Sequence, residues 1–178
     1  EDYPEDVKKI YAAGHDLANH SENHKNMSQL SDNDCKEELM KVHNKVKELT
    51  GYEMCLFRPP YGDYDNEVIC KATECGYYTI QWSVDSLDWK NYGTDAIVER
   101  VCEHKALKPG AIILCHNGAE YTAKALDTLL KRVKEQGYEL DVYIPFKKVA
   151  IEYDGYLWHK NKTKQDLKKN YKCKEDGI

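Results

Sequence analysis

Pro109-Gly110-Ala111-Ile112-Ile113-Leu114-Cys115-His116-Asn117-Gly118 runs from a turn through an unbroken apolar stretch to an abrupt polar end. Pro-Gly breaks any helix and sets a new direction. A run that is apolar at every position is the pattern of a strand buried on both faces, as in a parallel sheet. That reading leaves His116 just past the strand's C-terminal end. Upstream, Thr94 to about Leu107 reads as a helix capped by Thr94, and downstream about Ala119 to Gln136 reads as a helix stopped at Gly137. Tyr77 to Val84, rich in aromatic and β-branched residues, reads as the preceding strand.

The same alternation continues toward the N-terminus. Asn66 to Cys75 predicts a helix closed by Gly76. Met54 to Phe57 predicts a strand that stops at the rigid segment Arg58-Pro59-Pro60-Tyr61-Gly62. Ser31 and Asp34 form a capping-box-like start, after which Cys35, Leu39, Val42, Val46 and Leu49 recur at helical steps before Gly51. His15 to Asn19 is a short strand candidate, and Pro4 to Ala13 a helix with Pro in its first turn and Gly14 as its stop. Strand and helix thus alternate four times, which predicts an α/β fold of βα units around a parallel sheet or barrel.

In such folds the chemistry gathers beyond the C-terminal ends of the strands. Those positions hold His20-Ser21-Glu22-Asn23-His24, Arg58-Pro59-Pro60-Tyr61-Gly62, Asp85-Ser86-Leu87-Asp88-Trp89 and His116-Asn117-Gly118. His20 and His24, four apart, would share one side of a helical turn and suit a single divalent metal; a surface or capping role is the plainer alternative. Two prolines fix the path of Arg58, whose guanidinium could hold a carboxylate or simply be solvated. Asp85 and Asp88 could cap strand ends, Trp89 could lid the core, and His116 could be a core-edge histidine. A carboxylate beside a histidine at one mouth would instead orient the ring and hold up its pKa. The shared topological position favours a joint role over four separate ones.

Composition narrows the classes further. A chain of 178 residues and 20.7 kDa reads as one domain with an appendage. No run of 18 apolar residues is present, so no transmembrane helix is expected. The opening Glu1-Asp2-Tyr3-Pro4 lacks an initiator Met and leads almost directly into a helix, which suggests a piece of a longer product. Seven cysteines without a C-x-x-C pair are read as mostly reduced, core-filling thiols. Residues 139 to 178 carry nine Lys and seven acids, so of the net charge of −5 the first 138 residues hold −7. That asymmetry places a seam near residue 138, and the acidic balance before it argues against nucleic acid as the main partner.

The four segments, together with Leu114, resemble motifs two to five of the carbohydrate esterase family 4, the polysaccharide deacetylase (NodB-homology) domain. The resemblance spans about residues 3 to 138 in the family's order and is strongest to bacterial enzymes that deacetylate peptidoglycan N-acetylglucosamine. It implies an incomplete distorted (β/α) barrel over residues 1 to 138, an N-acetylated polysaccharide of peptidoglycan or chitin-like type as substrate, and a cell-envelope or extracellular setting. It further implies a divalent metal, usually zinc, on His20 and His24, with Arg58 orienting the catalytic base and the Tyr61 backbone binding the oxyanion. Trp89 would wall the sugar groove, Leu114 would meet the acetyl methyl, and His116 would be the general acid tuned by Asp88. Water would attack the acetamide carbonyl, leaving acetate and an amine. The family's first motif, Thr-Phe-Asp-Asp-Gly, supplies the base and a third ligand upstream of the equivalent of Glu1, so these 178 residues are expected to lack both and to be inactive alone. Asn117 stands where many members carry Asp.

Residues 139 to 178 predict a C-terminal β-hairpin with a polar, lysine-rich tail. Asp141 on one strand, Glu152 on the next and Trp158-His159 also resemble the core of very-short-patch-repair-type endonucleases. That resemblance would make Asp141 a magnesium ligand, Glu152 a second acid and His159 a general base, and it would bring nucleic acid in as a partner. A non-catalytic carbohydrate-binding remnant is the third reading.

Overall fold

The computed structural model describes residues 3–138 and the backbone of two strands, Val142–Ile144 and Val149–Ile151. The chain divides into two compact units, Glu1–Gln81 and Trp82–Ile178.

The first unit opens with helix α1, Pro4–Ala12, which has Pro in its first turn and is followed by Gly14 at φ +92°. Helix α2, Asp32–Thr50, begins as its capping pattern requires: the Asp34 amide donates to Ser31 Oγ at 3.2 Å, and the Ser31 hydroxyl donates to the Asp34 carboxylate at 2.6 Å. It ends at Gly51, whose left-handed φ of +73° suits a residue without a Cβ. Strand β1, Leu56–Phe57, helix α3, Asn66–Glu74, and strand β2, Tyr78–Thr79, form a parallel βαβ unit with Leu56 opposite Tyr78 and Phe57 opposite Thr79. Asn19 adds a parallel bridge to Phe57. Met27, Cys35, Leu39, Met54, Phe57, Val68, Ala72 and Tyr77 pack as the core under these strands.

The second unit repeats the scheme. Strand β3, Val84–Asp85, helix α4, Thr94–Cys102, and strand β4, Ile113–Leu114, form a second parallel βαβ unit with Val84 opposite Ile113 and Asp85 opposite Leu114. Helix α5, Thr122–Glu135, lays Ala125, Leu129 and Val133 against Ile97, Val98 and Val101 of α4. The four-residue spacing of Ala125, Leu129 and Val133 keeps them on one face of α5. Strands β5, Val142–Ile144, and β6, Val149–Ile151, pair antiparallel as a hairpin.

Several expectations are corrected. Residues 15–19 supply only the Asn19 bridge. The segment 77–84 is divided between two strands with different partners: the Ile80 amide still bonds the Phe57 carbonyl, whereas the Ser83 amide bonds the Ile112 carbonyl. Thr94 is the first helical residue rather than the cap; Gly93, at φ +102°, occupies the cap and makes a turn that a β-branched residue would resist. The helix after Thr94 ends at Cys102, not Leu107. Ile112 is 45% exposed, and of the apolar run at 111–115 only Leu114 is buried. The antiparallel pairing of 142–144 with 149–151 is the expected C-terminal hairpin. Of the six described cysteines only Cys35 and Cys102 are buried, while Cys55 and Cys70 are exposed. Burial pushes the Cys35 thiol up to about 11, in keeping with an inert core group.

Candidate active site

In the first unit the bridge residue Asn19 delivers the chain directly into the His20–His24 loop. The loop is not a helical turn. Ser21 and His24 take left-handed backbone conformations, φ +65° and +52°, and the loop closes by the Ser21 amide donating to Asn19 Oδ1 at 2.9 Å and the His24 amide donating to Ser21 Oγ at 3.0 Å. The i, i+4 spacing therefore brings the imidazoles together by a different route, edge to face with ring centroids 5.0 Å apart. His20 Nδ1 bonds the Arg58 carbonyl. A carbonyl only accepts, so Nδ1 carries the proton and Nε2 is the lone-pair nitrogen, the tautomer a metal ligand needs.

The loop after β1 is held to the same place. The Arg58 amide donates to the Asn19 carbonyl at 3.0 Å, continuing the parallel ladder. Pro59 and Pro60 then lead to Tyr61, at φ +58° and 65% exposed, whose ring meets His24 edge to face at 4.5 Å. Asp63 accepts both the amide and the hydroxyl of Ser28, tying the end of this loop to the segment after His24. The sequence assigned Arg58 through its guanidinium; the structure adds that its backbone grips His20 and Asn19.

In the second unit the loops after β3 and β4 meet at Asp88. This carboxylate has no exposed surface. Its Oδ1 accepts from His116 Nδ1 at 2.7 Å, and its Oδ2 accepts from the His116 amide at 2.7 Å and the Thr122 hydroxyl at 2.6 Å. Burial pushes the Asp88 carboxyl up, but Thr122 and His116 together outweigh it and hold the group below the usual carboxylate range. The ring of His116 is thereby fixed with Nδ1 protonated and Nε2 as its working nitrogen, on a side chain that is 38% exposed. Trp89 is 55% exposed, so it does not lid the core, and Leu114 is buried at the end of β4. Asp85 is spent locally, accepting the Leu87 amide.

Within each unit the sequence-derived residues thus lie at or just beyond the C-terminal ends of parallel strands. Two imidazoles with one tautomer fixed by a carbonyl fit a divalent metal as part of a ligand set. Among the described residues no group of three or more His, Cys, Asp or Glu is gathered for a metal. Asp141, Glu152 and His159 lie outside the described residues. Asn19, Glu38 and Thr122 were missed by the sequence reading. Only Thr122, at the start of a helix beside the His116 segment, left a positional hint.

A family profile described as polysaccharide deacetylase matches residues 1–80. A peptidoglycan-N-acetylglucosamine deacetylase of Bacillus cereus is 31% identical over 141 residues, covering 77% of this chain and 50% of that protein. A family 4 carbohydrate esterase from Streptomyces lividans, solved with acetate, superposes with a TM-score of 0.74 at 30% identity, covering 86% of this chain and 78% of that one. A CE4 family pseudoenzyme from Bacillus anthracis superposes at 0.73 with 35% identity, covering 78% and 48%. The chain spans about half the length of the first curated relatives it matches.

Proposed function

The chain belongs to the polysaccharide deacetylase family, carbohydrate esterase family 4, and on that footing we propose that it takes part in hydrolytic N-deacetylation of N-acetylglucosamine in a cell-wall polysaccharide. The observation that carries the reading is the buried Asp88 carboxylate with His116 held on it. An acyl-transfer site needs a proton donor for the departing amine, and a histidine whose other nitrogen is bound to a fixed carboxylate is suited to that task.

A divalent metal bound at His20 and His24 would supply Lewis-acid polarisation of the acetamide oxygen. His20 Nε2 and the His24 ring offer the lone pairs, and the Tyr61 backbone offers a donor to the oxygen that gains charge. As the carbon–nitrogen bond breaks, His116 Nε2 gives its proton to the nitrogen, and Asp88 steadies the ring through Nδ1. The carbonyl carbon keeps the oxygen of the attacking water and leaves as acetate, and the sugar keeps a free amine. Arg58 would hold the catalytic base, Trp89 would stack against a sugar ring, and Leu114 would sit against the acetyl methyl. The setting this chemistry calls for is the cell envelope.

The test is stoichiometry. The natural protein that contains this chain, incubated with zinc and an N-acetylglucosamine oligomer, should release acetate and expose sugar amines in equal amounts, and chelation should stop both. Neither product appearing with metal present would overturn the reading. A non-catalytic reading has one observation behind it, the likeness to a protein described as a pseudoenzyme; glycan binding without acetate release would favour it.

A further inference from the structure

We propose that Glu38, on the inner face of α2, is a positioning residue that sets the metal-binding geometry of His24; the inference rests on His20 and His24 being metal ligands. Glu38 is 4% exposed, an uncommon burial for a carboxylate on a helix. Its partners all come from one loop. Oε2 accepts the Asn23 amide at 2.7 Å, and Oε1 accepts the Asn23 side-chain amide at 2.8 Å and pairs with Lys25 Nζ at 2.8 Å. The Glu38 carbonyl takes the Glu22 amide at 3.1 Å. Residues 22, 23 and 25 are therefore all tied to one helix position, while His24 between them makes no bond to it.

What this accomplishes follows from the backbone. His24 sits at φ +52°, a region that L-residues with a Cβ avoid and that persists only where surroundings impose it. The ties at Asn23 and Lys25 fix the chain immediately before and after it. The imposed turn aims the ring at His20, 5.0 Å away, and against Tyr61, 4.5 Å away. Residues that orient metal ligands without touching the metal commonly govern affinity by about 10–100-fold. Glu38 does so here through the backbone rather than through the imidazole.

Two substitutions separate reach from charge. Glu38→Gln keeps the length and an oxygen for the Asn23 amide but drops the charge; Glu38→Asp keeps the charge but withdraws it from Asn23. Zinc titrations of the 178-residue chain, followed by the imidazole nitrogen resonances of His20 and His24, should show dissociation constants at least tenfold weaker in Glu38→Asp and within about threefold of wild type in Glu38→Gln. Equal affinities in all three proteins, or a larger loss in Glu38→Gln, would overturn the proposal. Should Glu38→Asp fail to fold, Asn23→Ala at an exposed position removes one of the ties; it should weaken zinc by about tenfold, and an affinity within about threefold of wild type would count against Glu38. The metal-free chain supplies an independent readout, because the cross-relaxation between the His20 and His24 rings should fall in Glu38→Asp. If wild type shows that ring contact but takes no zinc on either histidine, the metal assignment fails; if zinc binds and the contact survives Glu38→Asp, the positioning role fails.

Discussion

Asp88 is charged although it has no exposed surface, and its three donors explain why. Its folded pKa is depressed, so the proton is bound more readily by the unfolded chain, and stability falls as the medium is acidified. The contribution is fully present above the unfolded carboxyl value of about 3.9 and is lost as pH drops through the lower folded value. Urea unfolding of wild type and Asp88→Asn between about pH 6 and pH 3 should show the variant less stable at the upper end and the gap narrowing toward the lower. Parallel curves would mean that Asp88 does not titrate as described. At this scale the candidate site's residues were legible, since His20, His24, Arg58, Asp88 and His116 were marked by falling after strands. Thr122, Asn19 and Glu38 were not, because each acts by a hydrogen bond to a residue far away in sequence, and no spacing rule encodes such a partner.

Helix α2 shows what an element can announce and what it conceals. Its cap, its apolar steps and its Gly51 stop are local chemistry, written within a few residues of where they act. Ser31→Ala should cost about 0.5–2 kcal/mol by freeing the Asp34 amide, whereas Leu39→Ala, at a position with no exposed surface, should cost about 2–5 kcal/mol through the cavity it leaves. Chemical denaturation of the two variants would measure the difference, and a Ser31 variant as damaged as the Leu39 variant would contradict the ranking. The strands were harder to delimit. Each is two or three residues long, and the apolar runs around them extend beyond the residues that pair. Hydrophobicity reports burial over a stretch, but only the partner strands decide how it is divided, as between β2 and β3, where Ile80 bonds Phe57 and Ser83 bonds Ile112. The left-handed positions Ser21, His24, Tyr61, Leu87 and Asn91 were equally silent, being non-glycine residues, yet all five fall in the loops beyond strands that the site uses.

For the molecule as a whole, each unit contributes a parallel βαβ core and one set of polar residues beyond its strands: the paired imidazoles and the proline loop in the first, the carboxylate–histidine pair in the second. The strand–helix alternation made that architecture readable, because parallel neighbours require a crossover of helical length. The proposed deacetylation turns on His116, held by Asp88, delivering the proton that frees the amine from an N-acetylated glycan. Its most direct test is the steady-state rate of acetate release from an N-acetylglucosamine oligomer by the natural protein containing this chain, wild type against His116→Ala. The proton-donor role of His116 predicts a fall in kcat/KM of roughly 10²–10⁴-fold, the range for loss of a general acid. An unchanged rate would contradict it.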